Sequence, residues 1–487
     1  MYGENEVNDY HLIKYSLLHD FYLYFSSLNI FGLPLAQCLT GRFLLHIQPF
    51  VDLKRNNPAF ISRIRNQKQF QTMGVINEIL SSVNAVTQVP LKKSKKSILL
   101  SSDYYDFAAD QLKEYEVSFY GVLYKEYESG SPSDFKHYFF QDEILKVSGK
   151  MVSQQIQLLK KLVEKHFKTS PAHYYFSTSL FRQWFLNAIT GIIKWVYILD
   201  QLVLKTKPAV IIDPAEASIF GTILGLLSKK YHIPFINMPL LLVGDRAVIP
   251  SRADYYFVWG EFQKNWFIER NFKENRVIQT GNIKYYYEGN KPVCSRDELL
   301  EKLSIPSDHL IAGITTQPFF QTNHVLEEWL ATIDEDLPVT LIVKKHRNDK
   351  YGYRLLERKK NVRIIDSDMQ LYNFLKYLDV LMTVSSNTAI EAAIIDVPLF
   401  ILQPDIPYNY HLNHNSINAH LAEAKAGEII RNAEELVQAL SNLLKDDDYS
   451  KQLIEMGKTF LSRTLLTVNQ APTIAKRKIE AIIQSNM

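Results

Sequence analysis

Ser385, Ser386, Asn387 and Thr388 close an apolar run that begins at Leu381, and Glu391 follows within the next turn of chain. A strand that ends in small hydroxyl side chains and then opens a helix makes an anion site. Backbone N–H groups and the positive end of the helix dipole face the turn, and the hydroxyls add further donors. Phosphate is the anion this chemistry suits, and Glu391 is placed to accept from ribose or sugar hydroxyls. The same Thr388-x-x-Glu391 spacing also fits a capping box, in which the two side chains only finish a helix end. His346 lies in Lys344-Lys-His-Arg-Asn-Asp349 at the end of another apolar run. There it can donate to a phosphate oxygen while charge builds on a leaving group; the alternative is an ordinary polar loop residue. Lys344 and Lys345 alternate in direction, so at most one shares the side on which His346 acts.

A transfer reaction also needs a group that takes the acceptor's proton, or a carboxylate nucleophile. Asp213 and Glu216, in Asp213-Pro-Ala-Glu216, follow an apolar run and precede a helical pattern. Asp213 before a proline equally fits a helix cap followed by an N1 proline. Asp103 and Asp106, after the apolar run at 97–102, are the fallback carboxylates.

These loops need a scaffold, and the order of apolar runs supplies one. Strands are expected at 97–103, 116–124, 209–213, 233–237, 255–259 and 276–282. After a polar stretch near 288–292 the pattern restarts, at 310–316, 339–343, 362–366, 380–384 and 398–402. Helical patterns stand between them, including 141–167, 179–206 and 217–231. Strands alternating with helices imply parallel sheets covered on both faces. The expected organisation is a helical segment at 1–94, a Rossmann-like domain at 95–290 and a second at 291–470. A terminal helix at 471–487 is expected to pack back on the first domain. Ligands bind beyond the carboxyl ends of strands in such sheets, which adds Thr316 and Lys284 to the candidate donor-binding residues.

With 487 residues the chain exceeds one ordinary core. Lys plus Arg number 55 against 52 Asp plus Glu, a balance that argues against nucleic acid as partner. Two cysteines rule out a disulfide framework. The start is acidic and polar, unlike a signal peptide. The longest apolar stretch, 185–204, is interrupted by Lys194 and Asp200 and reads as a buried helix rather than the span of about 18 apolar residues a bilayer needs. The aromatic run from His19 to Phe25 offers either a membrane or partner face or plain core, and core is favoured.

The region 209–475 resembles GT-B glycosyltransferases of bacterial capsule and lipopolysaccharide synthesis. Tyr256-Phe-Val-Trp-Gly-Glu261 and Val277-Ile-Gln-Thr-Gly-Asn-Ile-Lys284 are similar to the passage leading into that group's second domain. Lys344-Lys-His346 stands where the group carries Lys-x-His-Pro, and Ser385-Ser-Asn-Thr-x-x-Glu391-Ala-Ala with Pro398 is similar to its nucleotide-holding block. Arg347 replaces the usual proline, and Asp396 stands where a glycine is usual. The resemblance implies two Rossmann-like doubly wound domains facing a cleft. It further implies transfer of a sugar from a nucleotide-activated donor to a glycan or glycolipid acceptor, with no cofactor and no metal. Thr280-Gly-Asn-Ile-Lys284 and the His plus Ser-Ser pair favour a CMP-linked Kdo- or sialic-type donor, with Lys284 facing the sugar carboxylate; UDP- and CDP-linked donors remain open. A cytoplasmic enzyme, peripheral at the inner face of the membrane, is expected. The rivals are a sugar-nucleotide 2-epimerase, which shares the fold, and an inactive scaffold or glycan-binding subunit.

Overall fold

The structure, a computed structural model, describes residues 5–83, 86–122, 135–147, 149–365, 369–406 and 419–486. The part of the expected second strand at 123–124 and Asp366 at the end of a later one lie outside the described residues. Two compact units emerge. The described part of one comprises 5–258, 264–283 and 470–486, and that of the other 259–263 and 284–469.

In the first unit a short hairpin, β1 (Asn29–Ile30) with β2 (Leu33–Pro34), sits among the N-terminal helices. The main sheet contains β3 (Ser97–Ser101), β4 (Glu116–Gly121), β5 (Lys136–Phe139), β6 (Val210–Asp213), β7 (Phe235–Asn237), β8 (Tyr255–Val258) and β9 (Val277–Gln279). All pairs are parallel, in the order β5-β4-β3-β6-β7-β8-β9. Strands buried on both faces read as unbroken apolar runs, as Ile98, Leu99, Leu100 and Val210, Ile211, Ile212 do at 0% exposure. The helix Ser179–Thr206 packs in this unit and is the one helix among the described residues long and apolar enough to cross a membrane. Its interrupting Asp200 is neutralised internally: Lys230 donates to it at 2.9 Å and the Tyr231 hydroxyl at 2.8 Å. The N-terminal helices between Asp9 and Ser82 belong to the same unit. Their aromatic run is core, with Phe21 and Phe25 fully buried and Phe21 stacked on Phe43 at 4.1 Å. The last helix, Ala471–Ser485, falls in this unit as well, where Lys476 pairs with Glu114 at 2.5 Å.

The second unit holds β10 (Leu310–Thr315), β11 (Val339–Lys344), β12 (Val362–Ile365), β13 (Val380–Thr383), β14 (Leu399–Leu402) and β15 (Glu428–Ile430). They pair in parallel in the order β12-β11-β10-β13-β14-β15. Strand order 3-2-1-4-5-6 is the doubly wound arrangement, and the first sheet repeats it with one strand added. Two edge strands, β5 and β15, were not expected from the sequence. β15 is admitted by Gly427, where a Cβ would stand 2.1 Å from the Leu399 carbonyl oxygen.

Candidate nucleotide-binding site

In a doubly wound sheet the connections from two neighbouring strands leave in opposite directions, so the loops at their carboxyl ends part and leave a crevice. In the second unit those neighbours are β10 and β13, paired with Thr315 opposite Thr383. The two loops are tied by hydroxyl groups. Thr315 Oγ1 donates to Thr383 Oγ1 at 3.1 Å and lies 2.8 Å from Thr388 Oγ1. The Ser386 N–H donates to Thr383 Oγ1 at 3.4 Å, and the Thr388 N–H to Ser386 Oγ at 3.2 Å. Ser386, Asn387 and Thr388 are half-buried and Ser385 is buried. The turn is therefore shaped by its own hydroxyls.

The capping box does not form. Thr388 is the first residue of the helix Thr388–Ile394, and Asn387 before it has helical angles and makes no side-chain cap. Glu391 instead accepts from Lys284 Nζ at 3.0 Å. Its carboxyl is 1% exposed, and burial pushes its pKa up against the pull of Lys284. Lys284, expected to meet a sugar carboxylate, thus already holds a carboxylate of the chain itself. Glu391, expected to meet ribose hydroxyls, is nearly closed to solvent.

His346 lies on the loop after β11 and is exposed. Its Nδ1 accepts from the Asn348 N–H at 3.1 Å, which assigns the neutral ring's proton to Nε2. Partial burial and then the neighbouring Arg347 lower its pKa, so the ring is a neutral N–H donor at physiological pH. The loop is anchored by a residue that sequence reasoning did not single out. Asp349, 7% exposed, accepts from the Thr316 hydroxyl at 2.7 Å, the Tyr353 hydroxyl at 2.8 Å, Asn323 Nδ2 at 3.0 Å and the Tyr351 N–H at 2.9 Å. Thr316 Oγ1 accepts in turn from the His346 N–H at 2.9 Å. Thr316 therefore serves the His346 loop instead of facing outward as a donor-binding hydroxyl. Lys344 Nζ donates to the Met369 carbonyl at 2.7 Å and Lys345 Nζ to the Tyr351 carbonyl at 2.9 Å. Both lysines brace neighbouring loops.

The same topological position in the first unit lies between β3 and β6, and it collects the acidic candidates. Asp213 accepts from the Tyr120 hydroxyl at 2.5 Å and from the Ala215 N–H at 2.6 Å. The bond to Ala215 stands in place of the expected helix cap, since the following helix is capped by Ser218. Burial and the charge of Asp103 push the Asp213 pKa up to about 6, against the Tyr120 and Ala215 bonds. Glu216 is fully buried, and its Oε2 accepts from the Arg252 and Ala253 N–H groups at 2.7 and 2.8 Å and from the Tyr256 hydroxyl at 3.2 Å. These bonds tie the loop before β8 to the loop after β6. Neither carboxylate is open to solvent. Asp103 is exposed, and its Oδ2 accepts from Ser101 Oγ at 2.9 Å.

Burial raises the Glu216 pKa to about 7 despite those bonds. A folded-state pKa above the unfolded value of about 4.3 means the folded chain binds more protons between the two, so stability falls as pH rises through that window. Wild-type unfolding free energy is expected to drop by about 2 kcal/mol from pH 5 to pH 8 through this group. Glu216→Gln should flatten the slope in urea titrations at the two pH values; an unchanged slope would show that Glu216 does not titrate there.

A model of the family described as CDP-Glycerol:Poly(glycerophosphate) glycerophosphotransferase matches residues 247–461, somewhat less than half of the chain. That span carries Lys284, Thr316, His346, Asp349, the 385–388 turn and Glu391; Asp103, Asp213 and Glu216 lie outside it. The match supports a transferase. No curated protein matches the chain. Among solved structures, a glycosyltransferase from Rickettsia africae superposes with a TM-score of 0.51 at 12% identity, covering 81% of this chain and all of that one. UDP-GlcNAc 2-epimerase from Neisseria meningitidis, bound to UDP-GlcNAc, superposes with a TM-score of 0.50 at 12% identity, over 79% of this chain and 98% of that one. The fold is GT-B-like. At such identity these likenesses speak to fold alone.

Proposed function

We propose that this chain transfers a group from a cytidine-nucleotide donor to a hydroxyl of a polymeric or lipid-linked polyol or glycan. The observation that carries the reading is the second-unit site: a hydroxyl-rich turn at the topological switch point and the neutral donor His346 on the neighbouring loop after β11, tied to the end of β10 through Thr316, inside the stretch that matches a CDP-glycerol-using family. The 385–388 turn receives the donor's phosphates. His346 Nε2–H donates to the phosphate that departs with the nucleotide, where a neutral donor gains strength as the oxygen acquires charge. Glu391 and Lys284 hold one another beneath the turn.

The nature of the transferred group shifts accordingly. The acidic-sugar donor was favoured by the Thr280–Lys284 passage and the His plus Ser-Ser pair, with Lys284 as partner of the sugar carboxylate; the pairing of Lys284 with Glu391 takes away the last of these. A CDP-linked polyol phosphate such as CDP-glycerol comes first, with a CMP-linked Kdo- or sialic-type sugar behind it. In the first case the acceptor oxygen forms a bond to the phosphorus bearing the glycerol, the bond to the bridging oxygen breaks, and CMP leaves. The acceptor's proton goes to a carboxylate. Asp103 carries that role in this proposal, because it is exposed and follows β3 at the switch point it shares with Asp213, whereas Asp106, also exposed, lies in the helix beyond; Asp213 and Tyr120 shape its surroundings.

Incubation with CDP-glycerol, CMP-sugars or UDP-sugars and a glycerophosphate or oligosaccharide acceptor tests the reading. Acceptor-dependent CMP release is the expected result. Sugar isomerisation without nucleotide release would instead make the chain a 2-epimerase. Replacing Ser385 and Ser386 together by Ala should weaken binding of the preferred nucleotide by about 2 kcal/mol, the scale of hydrogen bonds to a charged group. Unchanged affinity in calorimetry would reduce the turn to a structural feature.

A further inference from the structure

Exposed leucines recur along one side of the N-terminal helices. The helices Thr40–His46 and Gln48–Lys54 run into one another, since the Ile47 N–H donates to the Phe43 carbonyl at 3.0 Å and the Val51 N–H to the Ile47 carbonyl at 2.9 Å. Leu45, Pro49 and Leu53 follow at helical spacing, so they share one side of the joined rod, and all three are exposed. The helix Ser179–Thr206 lies alongside: Trp184 stacks on His46 at 4.3 Å, and Arg42 donates to the Ala188 carbonyl at 3.3 Å. Leu180 stands one turn before Trp184 on that helix. Leu45, Leu53 and Leu180 are 73%, 70% and 69% exposed.

Cations and aromatic rings stand among these leucines. Lys54 Nζ lies over the rings of Phe50 and Phe60, at 5.8 and 5.6 Å. The Arg63 guanidinium lies over Phe60 and the partly exposed Tyr174, at 5.1 and 5.3 Å. Long basic side chains laid along rings cover apolar surface and keep their charged heads toward water. Residues 40–66 carry five Lys or Arg against one carboxylate, Asp52, and residues 170–199 carry two against none. Asp52 accepts from Gln48 at 2.8 Å, and Asp20, beside Tyr174, accepts from Lys68 at 2.6 Å. Arg65 pairs with Asp9 at 2.7 Å. Arg42, Lys54, Arg63 and Arg182 thus leave the face with an excess of positive charge.

We propose that this face docks on an anionic phospholipid bilayer. Leu45, Leu53, Leu180 and Trp184 enter the boundary between headgroups and acyl chains, and Arg42, Lys54, Arg63 and Arg182 meet the lipid phosphates. The mixture of groups decides the partner. The core of a protein–protein interface is depleted of charge, whereas cations here are interleaved with the leucines. A nucleic-acid backbone would answer the cations and leave the leucines in water. Helical surfaces that set leucine and tryptophan among Lys and Arg lie in the interface of negatively charged membranes. The docking stands whether or not the chain is a transferase. If it is one, the face holds it where a lipid-linked acceptor is found.

The test sediments full-length protein with vesicles of phosphatidylcholine alone and of phosphatidylcholine mixed with phosphatidylglycerol, at low and high salt. The mixed vesicles are expected to bind about tenfold or more tightly than the neutral ones, and high salt should weaken that binding by screening. Leu45→Ser combined with Leu53→Ser, its folding checked by thermal melting, is expected to weaken binding by about tenfold, the scale of a few methylene groups kept in water. Arg63→Gln should weaken it by about fivefold, the worth of one cation near an anionic surface. Leu355→Ser, a change of an exposed leucine in the second unit, should leave it unaltered. Equal binding to both kinds of vesicle, wild-type binding by the double leucine variant, or an equal loss in Leu355→Ser would each overturn the assignment. So would a solution oligomer that the leucine changes dissolve while vesicles go unbound, since the face would then join copies of the chain.

Discussion

His346→Ala is expected to lower kcat by about 10²–10³-fold, the loss typical of removing one preorganised donor to developing negative charge. Affinity for the nucleotide should stay within a few-fold of wild type. The reason is in the geometry: the ring is fixed by the Asn348 N–H on Nδ1, so Nε2–H is presented already oriented. The donor is also neutral, because burial and Arg347 hold its pKa down. Its contribution therefore grows with charge on the leaving oxygen and is small in the ground state. His346→Gln, which keeps an N–H at similar reach, should recover part of the loss. Single-turnover measurements separate chemistry from binding. Equal losses in nucleotide affinity and in rate would show that His346 holds the donor throughout and has no special tie to the transition state.

Asp349→Ala is expected to cost about 3–5 kcal/mol of stability. It would strip the acceptor from two hydroxyls, an amide and a backbone N–H in one step. Removing one partner and stranding buried donors costs more than the bonds themselves contributed. The damage should also reach activity, since Thr316 Oγ1 bridges Asp349 to the His346 backbone. Asp349→Asn keeps one acceptor oxygen and should fall between wild type and Ala on both counts. Urea denaturation beside kinetics distinguishes the two residues: His346→Ala should change rate with little effect on stability, whereas Asp349 variants should change both. An Asp349→Ala protein with the wild-type midpoint would contradict the role assigned to it.

The central strands could be read because nothing but burial acts on them. Val339–Lys344 and Leu310–Thr315 lie between neighbours on both sides with helices on both faces, so their residues are apolar without alternation. The two edge strands escaped for the opposite reason. Lys136–Phe139 and Glu428–Ile430 run three or four residues, are partly exposed and owe their extended form to the ladder of the adjacent strand. A run that short carries no period of its own.

The site divides along a similar line. Residue types, spacing and resemblance pointed to Ser385–Thr388 and His346, because a phosphate turn and a strand-end histidine are local patterns. The uses of Glu391, Lys284, Thr316 and Asp349 were not legible, since each depends on a partner far along the chain. Lys284 and Glu391 are 107 residues apart, and Asp349 gathers donors from positions 316, 323, 351 and 353. Thr388-x-x-Glu391 shows the limit most clearly. Its spacing permits a capping box, but in the packed chain Thr388 is the helix's first residue with its hydroxyl beside Thr315, and Glu391 accepts from Lys284. Sequence alone determined two alternating α/β units and marked the strand-end loops that hold the candidate residues, because hydrophobic period and strand-end polarity are properties of short stretches. Tertiary structure decided which polar groups are spent on one another and which still face solvent, because pairing of buried charges and hydroxyls depends on distances that only the packed chain defines.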